Sequence, residues 1–153
     1  MKRMAAALAS GLVLLAGAAT ATAEDLPDGF TVALSMSPVA AQKLAKLHEG
    51  VVIAAWCAGD PAPGAPRRMT GEGQIQLGDG TVTVEGDTRL VRVNLNLRRD
   101  RLRWVKGDVQ VLVNVYSARR SGPDNILECG IYDGPLRKAA RAPVNIACRL
   151  IGE

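Results

Sequence analysis

The chain has 153 residues, 48% of them hydrophobic and 22% charged, a balance that excludes a disordered polymer and suits one packed domain. Its formal charge of +4 includes Lys2 and Arg3, which fall in an expected leader; without them 17 basic residues face 15 acidic ones, a net +2. A charge that small does not by itself demand an anionic partner.

Met1, Lys2 and Arg3 form a short positive start, Met4 to Ala19 is an almost unbroken apolar stretch, and Ala21, Thr22 and Ala23 place small residues before Glu24. That is the layout of a secretory signal peptide, so residues 1–23 are expected to be removed and 24–153 to form one exported domain, periplasmic or secreted. The longest apolar run after the leader, Val51 to Ala58, is far too short to span a bilayer, so the mature chain is expected to carry no transmembrane anchor.

Phe30 to Met36 alternates apolar and polar residues and reads as a first strand. Ser37 then offers an N-cap hydroxyl, Pro38 suits the first helical position, and Ala40 to Glu49 predicts a short helix ending before Gly50. Val51 to Ala58 is apolar on both parities, as expected of a central strand covered on both faces, and Trp56 and Trp104 read as core residues. From Asp60 to Gly73 three prolines and three glycines predict a surface or binding loop without regular structure.

Two hairpins are expected next. One pairs Gln74–Leu77 with Thr81–Val84 around Asp79 and Gly80, and the other joins Val91–Leu97 to Leu102–Trp104 around Arg99 and Asp100. Val109, Val111, Val113 and Val115 then alternate as a further strand, and a loop at Ser121–Pro123 leads to strands over Asn125–Tyr132 and Val144–Leu150. The fold class is all-β: an immunoglobulin-like or related antiparallel β-sandwich, or a small barrel, of about eight or nine strands with one short N-terminal helix.

Three cysteines leave one unpaired in an oxidising compartment. Setting Cys129 opposite Cys148 in an antiparallel register also sets Leu127 against Leu150 and Ile131 against Ile146, all on one face, so a Cys129–Cys148 disulfide is expected. The competing choice ties Cys57 to one of them across two sheets. Cys57 itself, among Ala54, Ala55 and Trp56, reads as an inert buried thiol.

Chemistry is sparsely signalled. His48 is the only histidine, which removes imidazole-rich metal sites and suits a helix terminus. Asp60 is the carboxylate considered as its partner, but no nucleophile is set beside the two by a recognisable motif. No cofactor or metal is expected. The expected binding surface is a basic hairpin with Arg99 at its turn and Arg92, Arg98, Arg101 and Arg103 on its outer face, and Arg119 and Arg120 form a smaller basic site. Arginine forks bind carboxylates and phosphates, so the partner expected is an envelope protein or an anionic glycan or lipid headgroup. Nucleic acid is disfavoured because stacking aromatics are lacking. The expected function is therefore a non-enzymatic, exported binding or accessory module; an inhibitor of a cell-wall-cleaving enzyme and a small hydrolase or thiol enzyme are the alternatives.

Overall fold

The computed structural model describes residues 26–67, 70–71 and 73–153; the expected leader, residues 1–23, lies outside the described residues. Strands β1 (Gly29–Met36), β5 (Leu90–Asn94), β7 (Leu127–Cys129) and β9 (Val144–Leu150) form a four-stranded sheet in the order β5-β1-β9-β7. Strands β2 (Gly50–Pro61), β3 (Thr70–Gly71), β4 (Gln74–Glu85), β6 (Val105–Ser117) and β8 (Tyr132–Pro135) form a five-stranded sheet in the order β3-β4-β2-β6-β8. One continuous core lies between them, drawing Phe30, Val32 and Ile146 from one sheet and Ile53, Ile75, Leu77 and Val111 from the other. The architecture is thus mostly β and sandwich-like. Among the described residues, no helix is long and apolar enough to cross a membrane.

One pairing departs from the antiparallel expectation. β1 and β9 run parallel, with Val32 opposite Val144 and Met36 opposite Cys148. Parallel neighbours need a long connection, and these two strands are separated by most of the described chain, so no tight turn forces them antiparallel.

Helix α1 (Pro38–Leu47) follows the expected logic: the Ser37 hydroxyl accepts a 3.0 Å hydrogen bond from the Ala40 amide, Pro38 opens the helix, and Ala40 and Leu44 are buried. It ends at His48, whose backbone is left-handed (φ 49°). A second helix, α2 (Leu136–Ala139), was not expected; its four residues bury Leu136 and Ala139 against the core. The stretch from Asp60 to Gly73 is not wholly irregular either, since β2 continues to Pro61 and β3 pairs Thr70 and Gly71 with β4.

Neither expected hairpin forms. β4 is one strand of twelve residues, paired with β2 along its length from Glu85 opposite Gly50 to Ile75 opposite Gly59, with an irregularity at Cys57/Ala58 opposite Gly78. Asp79-Gly80 is therefore strand, and the glycines there serve a close backbone approach. A Cβ on Gly80 would collide with the Asn94 carbonyl oxygen, and one on Gly78 (φ 152°) with that of Asn96. Past β5 the chain crosses to the part of the β4 edge that β3 leaves unpaired, where the Asn96 amide donates to the Asp79 carbonyl (2.8 Å) and the Arg98 amide to the Leu77 carbonyl (2.7 Å). It then turns through a 3-10 segment, Arg99–Trp104, into β6. This crossing closes one side of the two-sheet stack.

On the opposite side, β7 and β9 pair with Leu127 opposite Leu150 and Cys129 opposite Cys148, and the two cysteines form a disulfide. The expected Ile131–Ile146 contact is absent: β7 stops at Cys129, Ile131 is 66% exposed, and Ile146 is buried in the core. Cys57 is free and buried, so the cross-sheet disulfide does not form. Replacing Gly80 with Ala is expected to force β4 away from the crossing chain and cost about 2 kcal/mol, the scale of overpacking a filled interior; urea unfolding of G80A against wild type measures it.

Candidate functional site

β2 lies between β4 and β6 in the five-stranded sheet. Its side chains alternate strictly, with Val51, Ile53, Ala55 and Cys57 facing the core and Val52, Ala54, Trp56 and Ala58 facing outward. On that outer face Ala54 is buried and Val52 and Ala58 are partly buried, but Trp56 is 44% exposed. The expectation that this strand is covered on both faces and that Trp56 is core is thereby corrected. Trp104 does pack against the core, partly buried.

Strand register places particular neighbours around Trp56. Opposite it stand Asp79 on β4 and Leu112 on β6, and opposite Leu112 stands Asp133 on β8, so one row reads Asp79, Trp56, Leu112, Asp133 across four strands. The next row reads Gln76, Ala58, Gln110. Between these rows lies an open groove of about 460 Å³ with Ala58 as its floor, Trp56 and the 40%-exposed Leu112 beside it, and Gln74, Gln76, Gln110 and Asp133 around it. An exposed tryptophan and leucine bordered by convergent polar groups make this groove the candidate recognition surface of the fold. An indole offers a flat apolar face with an N–H at its edge, and each glutamine amide both donates and accepts. The arrangement can hold a neutral, hydroxyl-rich ligand that has a flat apolar side.

The five arginines expected to bind do not share a hairpin face. Arg92, on β5, reaches Asp28 (3.4 Å) and Asn94 (3.3 Å). Arg98 precedes the 3-10 segment. Within it, the Arg99 guanidinium donates to the Leu26 carbonyl (2.8 Å) and that of Arg101 to the Gln76 carbonyl (2.9 Å). Arg103 lies over the Trp104 ring, 5.4 Å from its centroid, while the Trp104 carbonyl accepts from the Ala62 amide (2.8 Å) and so ties down the proline-rich stretch. These side chains fasten the turn between sheets.

The candidate catalytic groups are equally dispersed. His48 and Asp60 stand at opposite ends of β2, a twelve-residue strand, which separates them by roughly 30 Å or more at strand rise. Burial first, and the Asp79 carboxylate second, push the Cys57 thiol up to about 12, so it stays protonated and unreactive at neutral pH. Among the described residues, no three His, Cys, Asp or Glu side chains group so as to hold a metal ion.

One buried charge organises the end of the sheet. Glu49 is 2% exposed, and its carboxylate accepts from the amides of Gly50 (3.0 Å), Arg120 (3.0 Å) and Ser121 (2.8 Å) and from the Ser121 hydroxyl (2.7 Å). Burial acts to raise its pKa, but the bonds from Ser121, Arg120 and Gly50 together outweigh it and hold the carboxyl down to about 2. Beside it, Arg120 also forms a forked bond to Glu85 (2.9 and 3.0 Å). Of Arg119 and Arg120, expected as a small basic site, Arg120 is therefore held in place by two carboxylates, while the Arg119 guanidinium lies against the Tyr116 ring. Nothing in the sequence pairs Glu49 with Ser121, which are 72 positions apart.

No protein-family model, curated protein or solved structure matches this chain.

A thiol probe added to the native protein is expected to leave Cys57 unlabelled and to label it fully after denaturation, read by mass spectrometry. Because the Glu49 pKa is lower folded than unfolded, its stabilisation is complete above pH 4.5 and disappears as pH falls toward 2. Glu49→Gln, which sets an amide N–H against the Ser121 donors, should cost about 2 kcal/mol at pH 7, and the gap from wild type should close in thermal melts taken down that acid window.

Proposed function

We propose that this chain is an exported, non-enzymatic module that binds a glycan of the cell envelope on the outer face of its five-stranded sheet. The observation that carries the reading is the exposed Trp56–Leu112 pair set among glutamine amides on a rigid sheet. Sugars present C–H faces that lie flat on an aromatic ring and hydroxyls that need groups able to donate and accept at once, and this face supplies both. A large protein partner would want a wider apolar centre than one tryptophan and one leucine. The disulfide suits an oxidising compartment outside the cytoplasm, and the buried, protonated Cys57 offers no nucleophile for a thiol enzyme. Sugar recognition by the sheet replaces the arginine surface in this reading, because Arg92, Arg99 and Arg101 already bond within the chain.

Retention on insoluble chitin, cellulose and purified cell-wall sacculi tests it. Wild type should be retained on at least one of the three, and Trp56→Ala, with an unchanged melting temperature, should bind about tenfold more weakly, the worth of one aromatic contact. No retention on any of the three, or equal retention of W56A, contradicts the reading.

A further inference from the structure

The groove at Trp56 is not the only depression along β6. A second, of about 390 Å³, opens over the edge of β6 toward β7 of the other sheet, lined by Asn114, Tyr116 and Arg119 on one side and by Asn125, Leu127 and Glu128 on the other. Both depressions share the same strand. Gln110, Leu112, Asn114 and Tyr116 are successive outward positions of β6, the first two lining the groove beside Trp56 and the last two lining the second depression. Six residues of strand separate Gln110 from Tyr116, roughly 20 Å.

Register confirms that the row is continuous. Leu112 stands opposite Trp56, Asn114 opposite the small Ala54, and Tyr116 opposite Val52, so no bulky β2 side chain rises between the two depressions. β8 covers the edge of β6 only from Gln110 to Val113, which leaves the edge beside Asn114 open toward the second depression.

The far end is built to be stationary. Arg119 follows β6 with a left-handed backbone (φ 59°), and its guanidinium lies 6.0 Å from the Tyr116 ring centroid. The next two residues are clamped by Glu49. Asn125 is fixed by accepting from the Ser117 and Leu127 amides and donating to the Leu127 carbonyl. Such pre-positioning lowers the ordering cost of binding.

Resting on the glycan reading above, we infer that the ligand is an extended, uncharged oligosaccharide that lies along β6, with one sugar on Trp56 and a later one at Tyr116 and Arg119. The length of the row exceeds what one sugar ring can cover. Charge argues for an uncharged chain, since Asp79 and Asp133 stand at the two ends of the Trp56 row, where polyanions would meet carboxylates, and at the far depression Glu128 is already paired with Arg149 (3.1 Å).

Calorimetric titration of the full folded chain with chito- and cello-oligosaccharides, each from monosaccharide to hexasaccharide, and with polygalacturonic acid fragments as the anionic arm, tests this. In one of the two neutral series affinity should rise at least tenfold between disaccharide and pentasaccharide and then level off, and the anionic fragments should bind more weakly. Tyr116→Ala should abolish that rise while leaving disaccharide affinity unchanged, Tyr116→Phe should restore most of it, and Trp56→Ala should weaken binding at every length. Should Trp56→Ala weaken binding while affinity stays flat with length, or Tyr116→Ala leave the rise intact, the extended track is wrong and the glycan reading stands. Preference for the anionic fragments overturns the uncharged ligand, and no binding to any oligosaccharide overturns the extended track, and the glycan reading with it where sacculi also fail to retain the chain.

Discussion

Strand β2 is hydrogen-bonded along both edges, to β4 from Gly50 to Gly59 and to β6 from Val51 to Pro61. A strand held on both sides cannot slip by one residue without turning every side chain to the opposite face. Cys57 is thereby committed to the core and Trp56 to the outside, and each has the environment its position dictates: one a thiol that burial keeps protonated, the other a half-exposed ring. The groove and the rows of neighbours across the sheet are consequences of that parity.

Closure of the stack protects the register. On one side the chain after β5 bonds through Asn96 and Arg98 to β4, at a distance only Gly78 and Gly80 allow. On the other, between the end of β6 and the start of β7, the Ser117 amide and hydroxyl donate to Asn125 Oδ1 and the Ser117 hydroxyl accepts from the Ile126 amide, and the disulfide ties β7 to β9. Both sides use backbone groups that would otherwise be exposed edges. The two aspartates of the Trp56 row and the Glu49 clamp then add charge at fixed places on a frame that is already rigid.

Local signals in the sequence were legible where one segment decides its own structure. Ser37 and Pro38 begin the helix as their chemistry requires, the valines of β6 alternate as a strand, and matching the apolar parity of two segments is enough to set Cys129 against Cys148. The misread elements depend on distant partners. Asp79-Gly80 has the composition of a hairpin turn, yet its glycines answer to Asn94 and Asn96, which sequence proximity does not reveal. Arg99 and Asp100 look like a hairpin tip because Leu97 and Leu102 could pair, but the chain uses that stretch to change sheets. Trp56 was hidden by composition: small residues on both parities of β2 imitate a strand buried on two faces, yet the ring is 44% exposed. The groove was illegible for the same reason, since Gln76 and Gln110 become neighbours only through the registers of two different strand pairs with Ala58.

The outward, ligand-facing position of Trp56 is the claim on which the functional account turns, and tryptophan fluorescence reads it directly. In a Trp104→Phe background, where Trp56 is the remaining indole, emission should be that of a water-exposed ring, acrylamide should quench it readily, and saturating chitohexaose or cellohexaose should reduce the quenching. Emission of a shielded indole that resists acrylamide in the free protein, or quenching that neither oligosaccharide alters, would contradict the account.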